Sequence, residues 1–179
     1  MDSITFFFIL FAALIIAIDF AAIWWFGSML IPIISGGGPY VPTSHEVVKD
    51  MISISELTDV DTIMDLGSGD GRILIAAAKA GATKAIGYEI HPGLVKLSRR
   101  KAKNAGVDHK VEIRKRSMWK ADLSGTTVVF LYQIPYSMEK IRNKIENELP
   151  KGTRIISNAF EIPERTPIST RGKAMLYII

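Results

Sequence analysis

Residues Phe6 to Phe26 read FFFILFAALIIAIDFAAIWWF, 21 positions with one charge among them. A helix apolar on every side must be buried in a large protein or lie in lipid. A chain of 179 residues makes one domain with an appendage. At about 1.5 Å per residue the run spans roughly 31 Å, the thickness of a bilayer's hydrocarbon core. Trp24, Trp25 and Phe26 close it with rings of the kind that sit at a membrane interface. A cleavable signal would start basic and carry an apolar stretch of about 7–15 residues. This run is longer, and no basic residue precedes it. The expectation is an uncleaved, single-pass anchor. Charge follows the same division. Residues 1–48 hold no Lys or Arg, and all 22 basic residues lie from Lys49 onward against 18 − 3 = 15 acids, a local balance of +7. The positive-inside tendency puts that basic part in the cytoplasm. Within the run, Asp19 is expensive in lipid, and its role stays open between a tolerated acid and a partner contact. Ala13, Ala17 and Ala21 recur at the spacing that lets another helix approach closely.

After Phe26 the chain reads GSMLIPIISGGGPYVPT, where Pro32, Gly36, Gly37, Gly38, Pro39 and Pro42 interrupt regular structure. We expect an anchor over residues 4–34, a connector over 35–43 carrying PYVPT, and a folded domain over 44–179. In that domain the pattern predicts a helix over Ser44–Ile54, a buried strand TIMDL at Thr62–Leu66, and a helix over Arg72–Ala80. Strands at Lys84–Ile90, Val111–Lys115 and Thr126–Tyr132 follow, with helices over Pro92–Asn104 and Met138–Leu149. Arg154–Ala159 and Ala174–Ile179 read as later strands. Strands alternating with helices of about ten residues predict an α/β fold, a doubly wound Rossmann-like sheet. The absence of cysteine excludes a disulfide scaffold and a cysteine nucleophile. His45, His91 and His109 form no metal-binding spacing, so no metal is expected and they read as surface or capping residues.

The chemistry concentrates in DLGSGDGR, Asp65–Arg72. Glycines at 67, 69 and 71 between a strand and a helix let the chain turn sharply and let a ligand approach the backbone. A dinucleotide fingerprint would need glycine at position 72, which is Arg. Asp65 and Asp70 flank the loop and would oppose a pyrophosphate at the helix N-terminus. Two carboxylates suit a ligand carrying an ammonium and a sulfonium, which points to S-adenosyl-L-methionine. Glu89, at the end of the second strand, stands where a carboxylate accepts hydrogen bonds from ribose hydroxyls.

DLGSGDGR followed by GYEI resembles the first motif and the acidic strand end of class I S-adenosylmethionine-dependent methyltransferases. PYVPT ahead of it is similar to the small archaeal protein-lysine methyltransferases. It is similar also to the membrane-anchored lysine methyltransferases of mitochondrial ATP synthase c-subunit and adenine nucleotide translocase. The resemblance spans roughly residues 38–179. It implies that Asp65, Gly67 and Gly69, with Ser68 and Asp70 in the same loop, line the methionine part of the cofactor. It implies Glu89 on the ribose and Ser117 and Met118 at the adenine. Tyr40 and Thr43 would close over cofactor and acceptor. Tyr132–Pro135, with Gln133, occupies the loop where amine methyltransferases often carry Asn-Pro-Pro-Tyr, a motif this chain lacks. The implied setting is a membrane, the mitochondrial inner membrane if the chain is eukaryotic, with a membrane-protein substrate and no specific nucleic acid.

Methyl transfer from a sulfonium is an in-line displacement in which the protein mainly aligns donor and acceptor. A lysine acceptor loses its proton in a dehydrated channel or beside the cofactor's charge, so no general base is required. A lipid or small-molecule N-methyltransferase and a non-catalytic cofactor-binding module are the alternatives. Two basic clusters stand apart from this chemistry: Arg99, Arg100, Lys101 and Lys103, and Arg114, Lys115, Arg116 and Lys120. Three readings stay open for them: solvated faces, attraction to anionic lipid and nucleic-acid binding.

Overall fold

The computed structural model describes residues 3–34 and 38–179, and the part of the expected connector at 35–37 lies outside them. Helix α1, Ser3–Ile34, contains one segment, Ser3–Trp24, that is apolar and long enough to cross a membrane by length and composition. None of that segment is buried against the rest of the chain. The helix continues past Gly27 and Pro32, where the sequence predicted an interruption. Pro32 removes one ladder hydrogen bond, but it falls in the final turn and little helix follows it.

Helix α2, His45–Ser55, starts where Ser44 caps it, with Oγ accepting from the Val47 N–H at 3.3 Å. The chain then alternates β1 Thr62–Leu66, α3 Arg72–Lys79, β2 Lys84–Glu89, α4 Pro92–Asn104 and β3 Val111–Lys115. It ends with β4 Val128–Leu131, α5 Pro135–Glu148, β5 Arg154–Asn158, β6 Ser169–Arg171 and β7 Ala174–Ile178. Strand β4 is shorter at both ends than the predicted Thr126–Tyr132. Helix α5 begins three residues early, at Pro135, whose fixed φ suits a first helical turn. The exposed β6 was not expected from the sequence: Ser169–Arg171 offers no apolar alternation to read.

The sheet order is β3-β2-β1-β4-β5-β7-β6, with the first five strands parallel, β7 antiparallel to β5, and β6 antiparallel to β7. Strand residues alternate between two cores. Ile63, Val128, Phe130 and Ile156 pack with α2 and α3 residues such as Met51, Ile73 and Leu74. Met64, Leu66, Val129 and Leu131 pack with Met138, Ile141 and Ile145 of α5. Successive connections leave β1 toward β2 on one side and reach β4 on the other. That reversal opens a crevice at the carboxyl ends of the strands.

Candidate functional site

The crevice is shaped first by backbone. Gly67, Gly69 and Gly71 have φ of +98°, +53° and +78°, a region that side chains other than glycine rarely enter. The N–H groups of Gly67 and Ser68 both donate to the Tyr88 carbonyl at 3.0 Å, folding the loop back onto β2. Gly69 N–H donates to Glu89 Oε2 at 2.9 Å and His91 N–H to Oε1 at 2.7 Å, so one carboxylate fixes loop and helix start together. His91 also caps α4, Nδ1 accepting from Gly93 N–H at 3.1 Å. A Cβ at Gly67 would run into the Gln133 amide, and one at Gly69 would lie 2.7 Å from the Tyr40 ring.

A cavity of about 480 Å³ opens over this loop. Tyr40, Thr43, Asp65, Gly67, Ser68, Gly69, Asp70, Glu89, Ser117, Met118 and Gln133 all line it. Segments 95 residues apart are joined here: Gln133 accepts from Gly38 N–H at 3.4 Å through Oε1 and donates to the Leu66 carbonyl at 2.7 Å through Nε2. Gln133 thereby joins the segment ahead of α2 to the end of β1.

The two acids of the loop differ. Asp65 is 3% exposed, and no described group donates a hydrogen bond to its carboxylate. Burial, then the charges of Glu89 and Asp70, push its pKa up to about 8. Asp70 is equally buried, but Arg72 donates to it at 2.8–2.9 Å and Lys101 at 2.5 Å. Burial pushes the Asp70 carboxyl up; the Arg72 and Lys101 hydrogen bonds outweigh it and hold the group well below the usual carboxylate range. The sequence pattern sets both acids facing a cationic ligand. Asp70 is instead engaged by two side chains of its own chain.

Arg72 reaches further, donating through Nη1 to the Thr43 carbonyl. Tyr40, lying on Gly69, has its phenol pKa raised by burial and then by Asp70. PYVPT is thus fastened to the glycine loop through one ion-paired cluster. Sequence reasoning missed Arg72 and Lys101 as members of the site. It also missed Phe160, whose ring stacks on Tyr132 at 6.4 Å and forms part of the cavity wall. Phe160 follows Ala159, a non-glycine residue at φ +64°. No local pattern in the sequence signals any of these pairings.

The donor set fits the cofactor expected from the sequence. The Gly67–Gly69 loop borders the cavity, and the fixed Glu89 carboxylate has lone pairs left for hydroxyl donors. Asp65, a buried acceptor without a donor among the described residues, asks for a cation or an N–H group.

A family model described as the ANTKMT methyltransferase domain matches residues 65–169. A protein-lysine N-methyltransferase of Saccharolobus islandicus (strain REY15A) is 38% identical over 69% of this chain and 78% of its own length. An ATP synthase c-subunit lysine N-methyltransferase of Rattus norvegicus is 36% identical over 76% of this chain. An adenine nucleotide translocase lysine N-methyltransferase of Mus musculus is 35% identical over 75% of it. The chain spans 62% and 58% of those two mammalian relatives. A solved RNA methyltransferase of Salinibacter ruber, in complex with S-adenosyl-L-homocysteine, superposes with a TM-score of 0.74 at 39% identity. That likeness covers 78% of this chain and 94% of the other.

Proposed function

We propose, since the chain belongs to the ANTKMT methyltransferase domain family, that it methylates lysine side chains of a membrane protein. The methyl donor is S-adenosylmethionine. One observation carries the acceptor reading: an exposed apolar helix stands in the same chain as this site, and its relatives are named for lysines of the ATP synthase c-subunit and of adenine nucleotide translocase. In this reading residues 4–34 anchor the chain, 35–43 connect it, and 44–179 form the methyltransferase domain on the cytoplasmic side.

Asp65 and the Gly67–Gly69 loop would hold the methionine end of the cofactor, with Ser68 and Asp70 shaping the loop. Glu89 would hold the ribose and Ser117 and Met118 the adenine. Bound there, the cofactor supplies a methyl group already activated on a sulfonium. The chain's own contribution is alignment and exclusion of water. Tyr40, Thr43 and Gln133 close the cavity from the connector side, while Tyr132, Ile134 and Phe160 give it an apolar wall. A lysine amine entering along that wall is desolvated, which lowers its pKa from about 10.4 toward the neutral, nucleophilic form.

The test is transfer of a radiolabelled methyl group onto whole membranes by the full chain, with label followed into methyllysine, lipid extract and RNA. Methyllysine in protein hydrolysates is the expected product. Label in the lipid fraction would move the assignment to a lipid N-methyltransferase. Label in RNA would move it to the kind of acceptor named for the Salinibacter neighbour.

A further inference from the structure

Charge on this molecule is sorted along the sheet. Residues 91–120 carry ten Lys or Arg against Asp108 and Glu112, a balance of 10 − 2 = +8, and the rest of the chain carries 12 − 16 = −4. Five of the basic residues lie on α4 and two on β3, one edge strand of the sheet. Lys96, Arg99, Arg100 and Lys103 repeat at the i, i+3, i+4, i+7 spacing, so they share one helix face. All four are exposed, and Val95, Ser98 and Ala102 beside them are buried. Arg99 donates to the Ile113 carbonyl at 2.6 Å, which ties this face to the edge strand. Lys115 and Arg116 continue it at the end of β3, and Arg116 lines the cavity.

We infer that this α4–β3 edge docks on anionic lipid headgroups and holds the cavity mouth against the membrane surface. Each basic side chain near an anionic leaflet is worth about a fivefold shift toward the docked state. Single-stranded RNA would also meet the charge, but it is normally held by aromatic side chains on which bases stack. Residues 91–120 contain one such ring, Trp119, and the Lys140 ammonium covers it at 4.2 Å. An exposed apolar helix in the same chain supplies the bilayer. The inference rests on the anchoring proposed above and adds an orientation to it: acceptor lysines close to the headgroups face the cavity.

The absence of cysteine makes the test direct. The full chain carrying Asn104→Cys, at the end of α4, takes one dye and is reconstituted into vesicles of phosphatidylcholine alone or mixed with phosphatidylglycerol. Energy transfer to a headgroup dye should rise with phosphatidylglycerol and fall again in high salt. A dye at Lys173→Cys, in the β6–β7 turn, should respond far less. Lys96→Gln, Arg100→Gln and Lys103→Gln together should lower the docking equilibrium by about a hundredfold, with the melting temperature showing that the domain stays folded. Equal transfer in both lipids, or an unchanged triple variant, would overturn the docking. Displacement from phosphatidylglycerol vesicles by single-stranded RNA, with tight RNA binding in neutral vesicles, would reassign the edge to nucleic acid. A chain that stays outside both vesicles would instead sink the anchoring reading itself.

Discussion

Asp65 and Asp70 flank one glycine loop, both almost fully buried, and their protons behave in opposite ways. Asp70 is surrounded by donors and stays ionised, so it fastens Arg72, Lys101 and through Arg72 the carbonyl of Thr43. Asp65 has only like charges and low dielectric around it, so its carboxyl is held protonated to about pH 8. One acid is completed by the protein and the other is left for a ligand to complete. A carboxyl pKa moved toward neutral at a cavity is a common mark of a functional group. Here the hydrogen-bond inventory separates the two neighbouring acids, and Asp65 is the one proposed to meet the ligand.

The largest way to break the contrast is Asp70→Ala. Removing one partner of a buried ion pair costs about 3–5 kcal/mol. Lys101 is 42% exposed and can turn to solvent, so the lower end, about 3 kcal/mol, is expected. Chemical denaturation measures it, and a loss near zero would mean that the Asp70 cluster holds nothing. Asp65→Asn should do the reverse. At pH 7 it replaces a protonated, neutral carboxyl with a neutral amide of the same shape, so the ligand-free domain should melt no lower than the parent. Cofactor affinity should drop by about 2 kcal/mol, the scale of a lost hydrogen bond to a charged group. Calorimetry that found affinity intact would return Asp65 to a merely structural role.

The same pair sets the pH dependence, with opposite signs. Asp65 has a folded pKa above its ordinary 3.8, so ligand-free stability declines as pH rises from about 4 to about 8. Asp70 has a depressed folded pKa, so its contribution is complete above its ordinary value and is lost only as pH falls below it. A cationic ligand must find Asp65 ionised. Cofactor binding at pH 7 should therefore release most of one proton, and affinity should rise by up to about 1.4 kcal/mol per pH unit below 8. The rise ends where an α-amino group itself titrates, near 8. Isothermal titration in buffers of different ionisation enthalpy reads the proton directly, and Asp65→Asn should abolish it.

How much of this was legible in the sequence divides along the same line. Strands β1 and β3 and helix α4 fall on the predicted residues, because a short apolar strand closed by glycines, or a helix begun by Pro92, is a local signal. Motif and position point to Asp65, Gly67, Glu89, Ser117 and Gln133, and the fold brings all of them to one cavity. Arg72 reads in the sequence only as a missing glycine, and Lys101 only as one charge in a basic helix. Their meeting at Asp70 spans 31 positions, and local periodicity carries no information about it. The run of α1 through Pro32 escapes the sequence for the opposite reason: a local breaker counts for less in a final turn than its residue type suggests.

The smallest expected effect concerns Tyr40, the residue that joins the two halves of the contrast. Its ring lies on Gly69, against the loop that Glu89 fixes, while its phenol is drawn toward Asp70 and Arg72. Tyr40→Phe keeps the ring and removes only the hydroxyl. The ring is 43% exposed, so water replaces whatever the hydroxyl loses. A net hydrogen bond at such a site is worth about 0.5–1.5 kcal/mol, and solvent access puts this one at the low end. Cofactor affinity should fall by no more than about 0.5 kcal/mol, just over twofold. Tyr40→Ala removes the cover over Gly69 and should weaken binding clearly more than the phenylalanine variant. Stopped-flow binding separates the two effects: a lost cover speeds cofactor release, whereas a lost hydroxyl leaves the release rate nearly unchanged. Equal losses in both variants would mean that the hydroxyl, held by the Asp70 cluster, carries the contact rather than the ring.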